Sequence, residues 1–358
     1  MAGNYSIVDV AREAGVGIGT VSRVLNNAPN VHPSTAAQVH AAVAKLGYRL
    51  PARGNRRGPR PKSQGSSARQ GKEILMAVMG PQGLDWIFQC APVFVGVLHG
   101  VEEAAAEKGH VLTIRQAANW NQLADSISGS PPAGLIVLGF ETGIGSRGQL
   151  SSAFQQIPTV WTMGSPVEYR GDHVQPDHIK IGTIAAGHCL KHGLINCAAI
   201  GTQFGSPAFL VGFRNDSFLW TIRQQGGEAN MLLSPDLVRI GTAVHEVNLS
   251  VVRNLVQTAL ASPRRPQALF LESDILAPAV YQELVSAGVR PQQDIEIVTC
   301  NNERPYLAPL QPKPTIIDIQ PQIIGHRAVD QLIWRAANRN TPALRIMVEP
   351  VLIPSEGK

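Results

Sequence analysis

The apolar and polar positions of the chain change rhythm at about residue 73. Before that point, apolar residues recur at helical spacing in three short runs. The first opens after Ser6, a candidate N-cap with Asp9 three residues on. It carries Val10, Ala11 and Ala14 on one face and stops at Gly15. The second has Val16 in the turn ahead of it and directs Val21, Val24 and Leu25 inward. The third runs from about Ser34 to Leu46, with Ala37, Val39, Ala42, Val43 and Leu46 as its stripe. Pro33 and Ser34 are good starters for it, and Gly47 ends it. Three short helices joined by tight turns predict an all-α helix-turn-helix headpiece over residues 1–49.

From Glu73 the pattern becomes alternating strand and helix. ILMAVMG, HVLTIRQA, AGLIVLG, PTVWTMG, NCAAIG, QALFLES and IEIVTCN read as strands. VFVGVLHGVEEAAAEKG, the stretch around IGTIAAGHCLKHG, a run ending at QQGG, APAVYQELVSAG and QIIGHRAVDQLIWRAANR read as helices. TAVHEVNLSVVRNLVQTALA reads as one long helix. Repeated βα units of this length predict parallel, doubly wound sheets with helices on both faces. Residues 73–358 exceed what one small sheet uses, so two α/β lobes with a cleft between them are expected.

Charge sharpens the division. Residues 1–72 hold eleven Lys and Arg against Asp9 and Glu13, a net of +9. Residues 73–358 hold twenty against twenty-four, a net of −4. A basic arm on a near-neutral body points to a polyanion partner. No apolar run approaches the roughly 18 residues of a membrane-spanning helix, and no basic flank precedes an apolar stretch at the start. Cys90, Cys189, Cys197 and Cys300 lack metal or redox spacing and read as buried free thiols in a reducing compartment. A cytoplasmic protein is expected, with neither metal nor cofactor.

The second helix of the headpiece opens with almost nothing but small residues, Gly17, Ile18 and Gly19. Laid N-terminus first into a major groove, such a helix lets its backbone approach DNA closely. Ser6, Thr20, Ser22 and Asn26 can serve phosphates, and Arg23 can fork onto a guanine edge. A three-helix interaction module without DNA is the plainer alternative.

The string DVAREAGVGIGTVSRVLNN, followed by STAAQVHAAVAKLGYR, resembles the DNA-binding headpiece of the lac-repressor (LacI/GalR) transcription regulators over residues 6–49. TVSRVLN followed by LGYR is a specific pair. The resemblance makes the two residues before Thr20 the main base readers, and here they are Ile18 and Gly19. Readout is therefore expected to lean on Arg23 and on Ile18 against a thymine methyl. In the body, PAGLIVLG, PDHIKIGTIAAGHCLKHG, SDILAPAVYQELVSAGVRPQQDIEIVTCNN and IQPQIIGHRAVDQLI fall in the family's order. They imply the fold of periplasmic sugar-binding proteins, a homodimer on a pseudo-palindromic operator, and an effector, a carbohydrate by family habit, between the lobes.

Two regions depart from the family. Residues 50–72 are expected to be a linker. Its PARGNRRGPRPKSQGSSARQGK carries seven basic residues, four glycines and three prolines and no leucine, where relatives form a hinge helix around one. RRGPRP is similar to the core of AT-hooks, so Arg56, Arg57 and Arg60, with Arg53 nearby, are expected in a narrow A/T-rich minor groove. A flexible tether touching phosphates is the alternative. The second departure is in the pocket. Where the family's clamp arginine is expected, five residues before Gly212, this chain has Pro207. Asn301 replaces an acidic residue, Ser273 an asparagine, and His178 follows Asp177; Asp177 and Asp274 survive. Trp86, Phe88, Phe94 and Phe209 are candidate stacking faces for a sugar or flat ring, or core residues.

Other functions have less support. A solute-binding receptor would fit the body alone, and a regulator that has lost its effector response would fit the altered pocket. An enzyme is not indicated: GxxxxGK[ST], GxSxG, HExxH and CxxC are all absent. GVGIG lies between helices, not after a strand. His188 and His192 share a helical face without a third ligand nearby and read as a packed or solvated pair.

Overall fold

The computed structural model describes residues 7–25, 31–47, 72–79, 84, 92–127, 129–139, 154, 156–163, 171–202, 211–234, 236, 238–240 and 245–355. The chain divides into two compact units, Met1–Gln64 and Gly65–Lys358.

In the first unit, α1 (Ile7–Ala14), α2 (Ile18–Leu25) and α3 (Pro33–Leu46) enclose a small core of Val10, Ala11, Val21, Val24, Val39 and Ala42. Gly47 adopts φ 63° and returns its N–H toward the carbonyls of Val43 and Ala44, ending α3 as expected. One stripe residue differs: Ala36 packs against the core and Ala37 is exposed, because the helix starts at Pro33 and its inward row is 36, 39, 43 and 46. An exposed ion pair, Lys45 Nζ to Glu13 Oε1 at 2.6 Å, ties α3 to α1.

The second unit has two six-stranded sheets. The first has the order β13-β5-β4-β3-β1-β2, all parallel. Its strands are β1 (Glu73–Met79), β2 (Val111–Ala117), β3 (Gly134–Gly139), β4 (Thr159–Thr162), β5 (Asp172–Pro176) and β13 (Arg345–Val348). The second has the order β14-β12-β11-β10-β6-β7, parallel except for β14. It contains β6 (Asn196–Thr202), β7 (Glu228–Ser234), β10 (Ala268–Leu271), β11 (Glu296–Cys300), β12 (Thr315–Asp318) and β14 (Val351–Ile353). The chain passes between the sheets three times: after β5, after β12 and between β13 and β14.

In the first lobe, α4 (Pro92–Glu107) and α11 (Pro321–Ala337) cross closely, and α5 (Trp120–Ile127) lies nearby in sequence between β2 and β3. In the second, α6 (His178–Lys191) packs on α7 (Gly212–Gln224), with α8 (Leu249–Ala261), α9 (Ala277–Ser286) and the one-turn α10 (Arg304–Leu307) completing it. Among the described residues, no helix is long and apolar enough to cross a membrane.

The long helix read over residues 242–261 is shorter in the structure. His245–Val247 is strand β9, which pairs antiparallel with β8 (Val238–Ile240), and α8 begins only after Asn248. The Asn248 side chain accepts from Val251 N, so an N-cap interrupts what looked continuous. Strand β5 carried no apolar pattern, being Asp-His-Val-Gln-Pro, yet all five residues are buried. Arg335 on α11 makes this possible: its Nη2 lies 2.6 Å from Asp172 Oδ1, and its Nε donates to Oδ2. Burial alone would push the Asp172 carboxyl up, but the bonds from Arg335 and Gln331 outweigh it and hold it below its ordinary value.

Candidate functional site

Two places hold the expected site residues. In the headpiece, Gly17 carries no intramolecular load beyond starting α2: its carbonyl accepts from Thr20 N at 2.9 Å and Val21 N at 3.2 Å. A Cβ built on Gly17 or Gly19 would meet nothing within 4 Å. Packing therefore does not explain the glycines, of which Gly19, inside α2, costs the helix about 0.5–1 kcal/mol relative to alanine. Ile18 between them is 48% exposed, a large apolar side chain outside the core. Thr20 and Ser22 are half-buried and Arg23 is exposed in the last turn. Glycine, isoleucine and glycine thus share the open start of one helix, with an exposed arginine about one and a half turns on. Ser6, Asn26, Arg53, Arg56, Arg57 and Arg60 lie outside the described residues.

In the body, the C-terminal ends of β6, β10 and β11 meet the N-termini of α6 and α7, the end of a parallel sheet at which α/β folds place ligands. Arg214, in the first turn of α7 and buried, is the centre of this cluster. Its Nε donates to His178 Nδ1 at 3.1 Å, and its Nη1 donates to the Glu272 carbonyl at 2.7 Å and to Asn301 Oδ1 at 3.0 Å. Asn301 Nδ2 donates in turn to Glu303 Oε2 at 3.1 Å and to Ser273 Oγ at 3.3 Å. Asp274 accepts from Thr299 Oγ1 at 2.8 Å and from Glu303 N at 2.6 Å. The backbone is bent to suit: Asn301 has φ 116° and Asn302 φ 67°, conformations that non-glycine residues adopt at a cost of order 1–3 kcal/mol.

Glu303 also reaches the other lobe. Its Oε1 accepts from Val93 N at 3.1 Å, at the second residue of α4. A carboxylate there satisfies one of the orphan N–H groups of a helix start and suits its positive end. The two lobes are thereby joined at the site by one side chain.

Burial and charge act together on the titrating groups. Burial, reinforced by the neighbouring Glu303, pushes the Asp274 carboxyl well above its ordinary value; burial also raises Glu303. His178 is held well below its ordinary value, first by burial and then by the Arg214 guanidinium. Its Nδ1 accepts a hydrogen bond from Arg214 Nε, which requires that nitrogen to be unprotonated and the ring neutral. Burial pushes the Cys300 thiol up to about 12, so it is a packed thiol as expected; Cys189 and Cys197 are likewise buried.

The structure thus brings Ser273, Asp274 and Asn301 together. Asp177 stands one residue before His178 and caps α6, its Oδ1 accepting from Lys180 N at 2.9 Å. Trp86, Phe88 and Phe209, with Pro207 and Cys90, lie outside the described residues. Phe94 is a core residue, 2% exposed among Val97, Val101 and their neighbours. His188 and His192 are a packed pair with ring centroids 4.5 Å apart, and His188 Nε2 lies 3.0 Å from Glu296 Oε1. Sequence reasoning missed Arg214, Asn215, Glu272 and Glu303. A charge ending the apolar strand in FLES was the one visible signal; a helix-borne arginine replacing the expected loop arginine had none.

Comparison with known proteins agrees with both halves. Residues 6–50 match the family described as bacterial regulatory proteins, lacI family, and residues 186–356 match the periplasmic binding protein-like domain. The ribose operon repressor of Escherichia coli (strain K12) is 27% identical over 353 residues, covering 96% of this chain and 97% of the relative. A transcriptional regulator CelR–cellobiose complex has a similar fold, with TM-score 0.63 and 21% identity over 99% of this chain and 100% of that one. The lac repressor dimer bound to operator and the anti-inducer ONPF gives TM-score 0.60 and 18% identity over 99% of each chain.

Proposed function

Because this chain belongs to the LacI family of bacterial regulatory proteins, we propose that it represses transcription by binding an operator through its headpiece, under control of a small molecule held between the lobes of its body. The observation that carries the DNA half is the opening of α2, where Ile18 is exposed between two glycines that no neighbour requires. That surface can lie against base edges, with Ile18 on a thymine methyl and Arg23 on a guanine. Thr20 and Ser22, with Ser6 and Asn26, serve phosphates in this reading, and the basic residues of 50–72, Arg53, Arg56, Arg57 and Arg60 among them, supply the minor-groove arm. A homodimer matches a pseudo-palindromic operator with an A/T-rich centre.

The effector half rests on the cluster at the end of the second sheet. Effector binding changes operator affinity only by its difference in affinity for the DNA-competent and incompetent states. Asp177, Ser273, Asp274 and Asn301 contribute to the site, with Arg214 in the part of the missing clamp arginine and Trp86, Phe88 and Phe209 as its aromatic faces. Relatives include a ribose operon repressor and a cellobiose complex, which favours a carbohydrate-like ligand. The protein works in the cytoplasm and carries out no catalytic step.

Selection of binding sites from random duplexes by the full-length protein tests this reading. An enriched inverted repeat, with Ile18→Ala changing the preferred base at its position, is expected. Binding that fades with salt and enriches no sequence would leave only a polyanion-binding arm. That outcome would favour a solute receptor or a protein without effector control.

A further inference from the structure

Two arginines are buried among the described residues, and their charges are met in different ways. Arg335 is closed by a carboxylate. Its Nε and Nη2, which share one edge of the guanidinium, donate to Asp172 Oδ2 at 2.9 Å and to Oδ1 at 2.6 Å. Arg214, 3% exposed, has no carboxylate bonded to it among the described residues. Its Nε donates to His178 Nδ1, and its Nη1 is shared by the Glu272 carbonyl, the Cys300 sulfur at 3.1 Å and Asn301 Oδ1. Imidazole, carbonyl, thiol and amide are all neutral acceptors. Burial raises Asp274 and Glu303 toward their protonated forms, and the bonds of both run to other groups. A buried cation without an anion in contact is costly, so the arrangement is incomplete as it stands.

A second observation is what the cluster leaves free. Arg214 Nη2 makes no hydrogen bond among the described residues, and neither does His178 Nε2. Because His178 Nδ1 accepts, the proton of the neutral ring sits on Nε2, which is therefore a donor. Neither nitrogen is sealed from solvent in the way the unpartnered Asn215 Oδ1 is, although their residues are only 3% and 6% exposed. Nη2 shares the guanidinium edge of Nε, and Nε is turned to His178, so the two free donors belong to adjoining side chains. His178 opens α6, a helix of 14 residues, and Arg214 stands in the first turn of α7, one of 13. The positive ends of both helices add to the charge of the guanidinium.

We propose that the effector of this protein carries an anionic oxygen group, a carboxylate or a phosphate, received by Arg214 Nη2 and His178 Nε2. The proposal rests on the reading of the chain as an effector-controlled regulator and narrows its carbohydrate-like ligand to acidic or phosphorylated sugars. The bound oxyanion gives Arg214 the counter-ion that Asp172 gives Arg335, and it accepts from both free donors in charge-assisted bonds.

The full-length protein is titrated at neutral pH, with ionic strength matched by sodium chloride. The ligands are matched pairs: D-glucuronate and D-glucose, D-gluconate and D-glucitol, D-ribose 5-phosphate and D-ribose. The first two pairs test a carboxylate and the last a phosphate, and the melting midpoint is the readout. A saturable rise is expected with at least one anionic member, at an affinity at least about tenfold above that of its neutral partner. Arg214→Gln is expected to remove that preference. Asn301→Asp puts a carboxylate where the amide oxygen meets Arg214 Nη1 at 3.0 Å, supplying the counter-ion from within. It is expected to weaken anion binding at least about tenfold, and it decides the matter should Arg214→Gln not fold. Neutral members binding as tightly, no anionic member giving a saturable rise, or a preference unchanged in Asn301→Asp would each overturn the proposal. The last result would assign the anion to the basic residues of the first unit. Site selection on the same preparation separates the two levels. An enriched inverted repeat alongside a failed titration sinks the ligand class alone, whereas failure of the selection sinks the regulator reading beneath it.

Discussion

Two substitutions of glycine by alanine in helices of the body are expected to act with opposite sign. Gly187 lies in the middle of α6, exposed, and a Cβ there would meet nothing within 4 Å. Alanine at that position only narrows the unfolded ensemble and improves helix propensity, so Gly187→Ala is stabilising by about 0.5–1 kcal/mol. Gly325 on α11 would gain the same amount from propensity, but its Cβ would lie 2.8 Å from Val101 N and closer still to the Val97 carbonyl. Both obstacles are backbone atoms of α4, so no rotamer change relieves them. Gly100 faces back across the same crossing, where its Cβ would be 2.8 Å from the Gln322 carbonyl carbon. Overpacking costs about 1–3 kcal/mol, and rigid backbone on both sides puts this site at the upper end. Net of the propensity gain, Gly325→Ala is destabilising by about 2 kcal/mol. At roughly 2 °C per kcal/mol for a unit of this size, the two variants melt about 1–2 °C above and about 4 °C below the parent. Thermal unfolding followed by circular dichroism measures both. A Gly325→Ala protein melting at or above the parent would refute the close crossing of α4 and α11.

Other expectations follow from buried charges and from the headpiece. Arg335→Ala leaves Asp172 buried without its partner and is expected to cost about 3–5 kcal/mol in urea unfolding, far more than loss of an exposed ion pair. Because the folded Asp172 value is depressed, its contribution is full above the unfolded value and is lost as pH falls through the folded one. Asp274 has the opposite sign: its folded value is raised, so its contribution is full below the ordinary value of 3.8 and is lost as pH rises through the folded value. Asp274→Asn is accordingly expected to flatten the decline of unfolding free energy with rising pH; an unchanged slope would contradict the assignment. Gly19→Ala is expected to stabilise the headpiece by about 0.5–1 kcal/mol while weakening operator binding, seen by melting and by gel shift on the same protein.

The headpiece was legible because its three helices are specified locally, by rows three and four residues apart that need no distant partner. The apolar strands β1, β3, β10 and β11 were legible for a similar reason. Strand β5 was not: its buried Asp172 and Gln175 are polar, and Asp172 is tolerated only because Arg335 and Gln331 arrive from residues over 150 positions later. The same limit applied at the candidate site. Asp274, Ser273 and Asn301 were found from their neighbours in sequence, whereas Arg214 and Glu303 joined them only through folding. Glu303 in particular sits in NNERP, a stretch that reads as an ordinary turn, and its bond to Val93 spans 210 positions. The break at Asn248 was written in a capping residue, but the apolar spacing on either side outweighed it.

The three passages of the chain between the sheets bear on how the protein is made. β13 completes the first sheet beside β5, yet it is residues 345–348, and α11, which packs on that lobe, begins only at residue 321. A ribosome therefore releases most of the first lobe long before the strand and helix that close it exist. Until then the flank of β5 presents unpaired backbone groups, the kind of strand edge that invites association between nascent chains. Neither lobe corresponds to one continuous stretch of coding sequence. A premature stop anywhere before about residue 345 would strip a strand from both sheets at once, and the loss would fall on the body as a whole.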